Sequence, residues 1–499
     1  MTSSKDRYFA TLVSGYLLMA LQIVLALATV PIALKYLGKE EFGIWSLATQ
    51  VAIWLQLLDA GMNGAISRHL IDYRNETAGD NLARCLATGF RVLCLQGLVI
   101  FIMALVVGRY AGPVFGLTPD DASAFGKVLL MLGFGTGVSF VIKVVTSWLY
   151  ASQRLDLCNF VSLGIFVLEF TVFWLLISHG VGIFALAWAR VFTALTAFVV
   201  YGWIAAKVVG FPLSMLTSRW DREMFLRLAS YGGGMFVLTL GTQLLTMTQT
   251  AMVTKKLGLV AAAVWATAPK LFQLVLQTVS KLWDYRVPYL SSLMAEGDIP
   301  TLTRGFQGLF RATAYIGGGG LGAIVALNPV FLNLWTHQQI QWASVNDGLI
   351  AGVFYLSLLI RCVTDFVMHT KKIGWMPFLM LCEGLIFVAA SLFLLPIYGI
   401  PGMLAASLVT GGLLRLPYAW SKFSEFLALP KRDARYIVAH AFGGALLGGA
   451  IYLMLHLMRN WWPGLSPWVS LLGQSVLAAL ILGPLAIKLV FASQRPARV

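Results

Sequence analysis

The sequence predicts an all-α polytopic membrane protein with about fourteen transmembrane helices. Two parallel six-helix lobes would be followed by two further C-terminal helices. Three observations carry this expectation. The first is composition: of 499 residues, 59% are apolar and 11% charged, against roughly 25% charged in an ordinary soluble chain. So few charges cannot cover a soluble protein of this size, which excludes a cytosolic enzyme, a secreted domain and a disordered chain. Mean hydropathy is +0.80. The second is the continuity of the apolar runs. A closed barrel also satisfies its backbone in lipid, but it needs alternating stretches of about ten residues, which this sequence lacks. The third is an internal repeat.

In chain order the apolar segments fall at 9–36, 43–66, 85–108, 124–151, 157–178, 181–206, 224–254, 257–282, 305–334, 348–369, 373–396, 400–420, 434–458 and 467–491. The first follows a short basic stretch, Met1 to Arg7, with no small-residue cleavage site, so it reads as a membrane helix rather than a removable signal peptide. The eighth contains Pro269, whose missing N–H and ring should kink it. In the ninth, Gly317–Gly320 reads as a packing or hinge feature. The longest loops, near 67–84, 207–223 and 283–304, are too short for a catalytic domain. Five cysteines, with no CxxC or CxxH spacing, read as reduced packing residues, with neither a disulfide nor a metal site.

The net charge is +15, from 36 lysines and arginines against 21 acids. With a cytoplasmic N-terminus, 25 of the 36 cations fall at cytoplasmic ends, 7 at outer ends and 4 within apolar segments. Both termini are therefore expected in the cytoplasm. The positive charge is then a topology signal toward anionic lipids, with no nucleic-acid partner implied.

A shift of 220 residues lays Lys35-Tyr36-Leu37-Gly38 on Lys255-Lys256-Leu257-Gly258, Trp45 on Trp265, Arg84 on Arg304 and Phe90-Arg91 on Phe310-Arg311. Helix 1 falls on helix 7, six spans on and in the same orientation. This divides the chain into 1–215, 216–430 and 431–499, the last carrying the two extra helices. Parallel repeats around a midplane site are a transporter architecture.

Eight residues place charges deep in apolar segments: Lys143, Arg190, Lys270 and Arg361, with Asp59, Glu169, Asp365 and Glu383. Charge at that depth needs a partner or a water-filled cavity. With two cations and two acids in each lobe, local pairing could neutralise all of them. Arg361 and Asp365, four residues apart, share one helix face. The carboxylates are also candidates for a coupling proton or Na⁺. Arg84 and Arg91 are seven apart on one face of helix 3, and Arg304 and Arg311 repeat them on helix 9. They could form a cytoplasmic funnel for anions or serve as ordinary positive-inside residues.

The stretch Pro31 to Trp45, with Gly38, Glu41, Phe42 and Gly43, is followed by Leu58-Asp59-Ala60-Gly61 and Ala65-Ile66-Ser67-Arg68. This resembles the polysaccharide transporters of the multidrug/oligosaccharidyl-lipid/polysaccharide (MOP) exporter superfamily, above all the Wzx-type flippases of O-antigen and exopolysaccharide synthesis. There a Leu-Gly turn with an aromatic-Gly pair joins the first two helices, and an Asp-x-Gly lies near the end of the second. The resemblance implies a V-shaped, MATE-like fold working by alternating access in the inner membrane. It implies a polyprenyl-diphosphate-linked oligosaccharide as substrate, surrounding lipids as partners and contact with polymerase or chain-length machinery. A monomer without a cofactor is expected, with an H⁺ or Na⁺ gradient as the candidate energy source. In that superfamily helices 1, 2, 7 and 8 line the cavity. Lys270 on helix 8 then reads as a diphosphate contact, with Arg190, Lys143 and Arg361 as further cations. Gln50, the uncharged repeat mate of Lys270, and Gln243 and Gln249 on helix 7 suit sugar hydroxyls.

Two other functions fit the class. A cation-coupled multidrug exporter of the same superfamily would want uncompensated acids in its lumen. A membrane-embedded glycosyltransferase or polymerase would want a sizeable acidic outer loop. The only outer acidic pairs are Glu40-Glu41 and Asp120-Asp121, in short turns.

Overall fold

In the computed structural model, residues 4–73, 80–152, 154–208, 211, 220–369, 374–461 and 466–494 are described. Among them the chain is helical throughout, with no strand. Of the cations expected at cytoplasmic ends, Arg74, Arg219, Lys371, Lys372, Arg495 and Arg498 lie outside the described residues.

The chain forms two compact units, Met1–Ala263 and Val264–Val499. The first holds α1 (Ser4–Leu55), α2 (Met62–Tyr73), α3 (Asp80–Tyr110), the single turn α4 (Gly112–Phe115), α5 (Pro119–Ala151), α6 (Leu155–Ser178), α7 (Phe184–Trp203), α8 (Arg222–Met247) and α9 (Gln249–Leu257). The boundary falls within α10 (Leu259–Thr267). The second unit continues with α11 (Lys270–Glu296), α12 (Ile299–Trp335), α13 (Val345–His369), α14 (Met376–Tyr398), α15 (Ile400–Thr410), α16 (Leu416–Leu427), α17 (Lys431–Trp461) and α18 (Pro467–Gln494).

Eleven helices among the described residues are long and apolar enough to cross a membrane, or twelve if α10 and the first part of α11, bent by 41°, form one span. Three places account for the distance from fourteen. α1 runs through both of the first two expected segments, but Gly38 (φ 74°, ψ −176°) interrupts its helical backbone. α8 contributes only the shorter apolar stretch Phe236–Met247. The eighth segment is the bent pair, broken at Ala268-Pro269 just before Lys270. The second segment also stops early. A 3₁₀ turn (Gln56–Asp59) and the left-handed Ala60 and Gly61 separate α1 from α2.

Two backbone features recur at the 220-residue spacing. Gly258 (φ 88°, ψ 176°) takes the conformation of Gly38, 220 residues before it. In that region an L side chain is strained, so glycine fits both breaks. α6 and α14 end at Ser178 and Tyr398, the same 220 residues apart. π-helical turns at Ile204–Val208 after α7 and at Gly411–Arg415 after α15 do not share that register.

In the first unit α5 packs against α3, α7 and α1. Its contact with α3 is made through small residues. A Cβ added at Gly97 would lie 2.6 Å from the Gly137 carbonyl oxygen, and one at Gly126 would lie 2.7 Å from that of Gly108. Lipid offers little hydrophobic force between helices, so close backbone contact is what holds such a pair. In the second unit α12 meets α17 the same way, with Gly318 against Gly444 and Gly322 against Gly448. Trp283, Phe306, Phe366 and Phe423 fill the middle of that unit, with Phe306 and Phe423 rings 4.3 Å apart.

Candidate functional site

Four helices of the first unit, α1, α5, α6 and α7, enclose a cavity of about 370 Å³. Its polar lining comes from Thr49, Gln56, Thr136, Ser139, Lys143, Glu169, Arg190 and Thr193. Packing of α6 on α7 brings Arg190 Nε to 3.0 Å from Glu169 Oε1. Lys143 Nζ donates to Asp59 Oδ1 at 3.1 Å and lies 3.5 Å from the centre of the Phe140 ring. Asp59 closes the 3₁₀ turn after α1, and its carbonyl accepts a hydrogen bond from Gln96 on α3 at 3.2 Å. So three of the charges expected to bind substrate or ions line one pocket, and the fourth, Asp59, is held by one of them. Each cation there has an acid, so the pocket is close to neutral.

In the second unit Arg361 donates to Asp365 Oδ2 and to Asp284 Oδ1 on α11, each at 2.9 Å. Asp284 also faces Lys281 at 3.1 Å. Glu383, almost fully buried, pairs with Arg415 at 3.1 Å. Arg415 closes the π-helical turn Gly411–Arg415, whose extra residue aims it back at α14. Lys270 differs from these. It opens α11 immediately after Pro269, is half-buried, and has no hydrogen-bond or ion-pair partner among the described residues.

The three glutamines are not part of the first-unit cavity lining. Gln50 is buried in α1, Gln249 donates to the Leu245 carbonyl at 2.8 Å, and Gln243 Oε1 is buried without a partner. The four arginines of the expected funnel meet different surroundings. Arg84 is ion-paired with Asp221 at the start of α8. That guanidinium, with the backbone N–H groups of Glu223 and Met224, holds the Asp221 carboxyl below the usual carboxylate range. Arg304 donates to the Pro300 carbonyl at 3.3 Å, and Arg311 to Tyr436 at 3.4 Å. Arg91 keeps Nη1 buried without a hydrogen bond.

Sequence reasoning missed Gln56, Asp284, Arg415 and Asp347. Asp284 and Asp347 border apolar segments and Arg415 sits near the end of one, where polar residues are ordinary, and Gln56 is an uncharged residue within the second segment.

A family profile described as polysaccharide biosynthesis protein matches residues 11–294, more than half of the chain. The chain belongs to the polysaccharide biosynthesis protein family. No curated protein matches it closely enough to count as a relative. Among solved structures, this family member is similar to the lipid II flippase MurJ in an inward closed conformation, at TM-score 0.68 and 12% identity, over 97% of this chain and 98% of that one. It is similar to an inward-facing multidrug resistance MATE transporter of the MOP superfamily, at TM-score 0.67 and 12% identity, over 81% and 95% of the two chains. An outward-facing MATE transporter matches at TM-score 0.61 and 12% identity, over 87% and 97%. At these identities the likeness shows the fold. The chain is thus a multi-pass helical membrane protein with a fold like those of MurJ and the MATE transporters.

Proposed function

We propose that the protein is a flippase that carries a polyprenyl-diphosphate-linked oligosaccharide, an O-antigen or exopolysaccharide repeat unit, across the inner membrane by alternating access. Both termini face the cytoplasm in this reading, and fourteen spans form two six-helix lobes and a C-terminal pair. The observation that carries it is Lys270. Lys143, Arg190 and Arg361 are each neutralised by an acid at about hydrogen-bond distance. Lys270, at the break between α10 and α11, has no such acid among the described residues. A buried ammonium without a counter-ion is costly. An anionic lipid head group arriving during transport would supply the missing charge. The family match and the MurJ-like fold support a lipid-linked glycan as the source of that anion.

The multidrug exporter fits less well. The acids a cationic drug would need, Asp59 and Glu169, already hold Lys143 and Arg190.

Lys270→Ala should abolish glycan export with a normal amount of protein in the membrane. A charge-assisted hydrogen bond is worth about 2 kcal/mol, or roughly 30-fold in affinity. Lys270→Arg should keep partial function, and Lys270→Glu should fail completely. The measurement is surface glycan in the source organism, with lipid-linked precursor counted on the cytoplasmic side. Normal export by stably expressed Lys270→Ala would end the proposal.

A further inference from the structure

The acids first considered for ion coupling, Asp59, Glu169, Asp365 and Glu383, all hold a lysine or arginine. One buried acid in the second unit does not. Asp347, in the first turn of α13, is fully buried, and so is Asn328 on α12. Asp347 Oδ1 accepts from Asn328 Nδ2 at 2.7 Å and from Trp342 Nε1 at 2.9 Å. Both donors are neutral. Asn328 Nδ2 also donates to the Ala268 carbonyl at 3.3 Å, beside the break that Pro269 makes between α10 and α11. The amide orientation is forced, because turning it over would set the Asn328 carbonyl oxygen against a carboxylate and a backbone carbonyl.

Two acceptor atoms are then left over. Asp347 Oδ2 and Asn328 Oδ1 are both buried and have no donor among the described residues. A buried carboxylate with neutral partners lacks a counter-charge, and this buried amide oxygen lacks a hydrogen-bond donor. One occupant within reach of the two atoms would satisfy both. We propose that Asp347 and Asn328 bind a monovalent cation, Na⁺, through Asp347 Oδ2, Asn328 Oδ1 and the second lone pair of the Ala268 carbonyl. Oxygen-only ligands suit a hard cation. A single carboxylate matches a single charge, and no cluster of three or more His, Cys, Asp or Glu among the described residues offers a divalent site. Discontinuous helices with free carbonyls are where transporters hold coupling ions.

The test uses the full-length protein purified in detergent, with radioactive Na⁺ binding and the melting temperature in NaCl against choline chloride at equal ionic strength. No transported lipid is needed, so the outcome is independent of the flippase reading. Wild type should bind Na⁺ saturably and melt higher in NaCl. Asp347→Asn should lose both effects. It keeps an oxygen for Trp342 and Asn328 to donate to, so it should still fold. Asn328→Ala should weaken binding by about tenfold or more. Wild type that binds no Na⁺, or Asp347→Asn that binds it as wild type does, would overturn the proposal. So would a protonated Asp347, seen as no Na⁺ response in wild type and an Asp347→Asn protein at least as stable.

Discussion

Arg190 and Glu169 stand on α7 and α6, and neither has a second ionic partner among the described residues. Removing one charge leaves the other in a pocket built for both, and such a break costs more than the intact pair contributes. Arg190 is half exposed at the cavity surface, which moderates the cost. Glu169→Gln should therefore lower the unfolding free energy by about 1–2 kcal/mol, and Arg190→Gln combined with Glu169→Gln should recover most of it. Thermal unfolding of the three purified variants measures this, and a double variant less stable than either single would contradict it. The same pairing explains what was readable at this scale. Arg361 and Asp365 are four apart, and the spacing alone put them on one face. Lys143 and Asp59 are 84 residues apart in sequence. Only the packing of α5 against α1 and α2, on either side of that turn, joins them, and a linear pattern holds no record of that. Asp347 escaped notice because the polar run His337 to Asp347 reads as a loop, whereas the helix starts at Val345.

Among the helices, the start of α8 illustrates how a cap and an ion pair share one side chain. Asp221 accepts from the N–H groups of Glu223 and Met224 at 2.8 and 3.2 Å and also meets Arg84 on α3. Its folded-state carboxyl titrates below the ordinary value. The stability it contributes is therefore present above the unfolded pKa, near 4, and is lost as pH falls through the lower folded value. Asp221→Asn keeps an acceptor for the cap but removes the titration. Its melting temperature should then fall less below about pH 4 than that of wild type. A circular-dichroism melt at several pH values decides it, and identical acid profiles would refute the linkage. The helices themselves were legible because apolar runs of membrane length have one outcome in lipid. The break at Gly38 was legible as a turn. The early stop of the second segment was not, since Ala60 takes a left-handed conformation that its type disfavours.

For the whole molecule, the bias of lysine and arginine predicts which ends face the cytoplasm. A thiol introduced at Lys39 should react with an impermeant reagent in intact cells. One introduced at Arg304, beside the N-terminal end of α12, should react only after permeabilisation. The opposite pattern would invert the orientation. The 220-residue spacing was legible in a few rare residues, and one glycine conformation and one helix end recur at it in the backbone.

The neutral pairs of the first-unit cavity have an electrical consequence. A transmembrane voltage does work only on net charge, so Lys143 with Asp59, or Arg190 with Glu169, can shift through the field at almost no cost. Lys270 without an anion is different: each 100 mV of potential drop it crosses is worth about 2.3 kcal/mol. In the proposed carrier a disubstituted diphosphate brings two negative charges against this single ammonium, so the loaded site would be net negative and the empty one net positive, and the cell's resting potential would act on the two strokes in opposite senses.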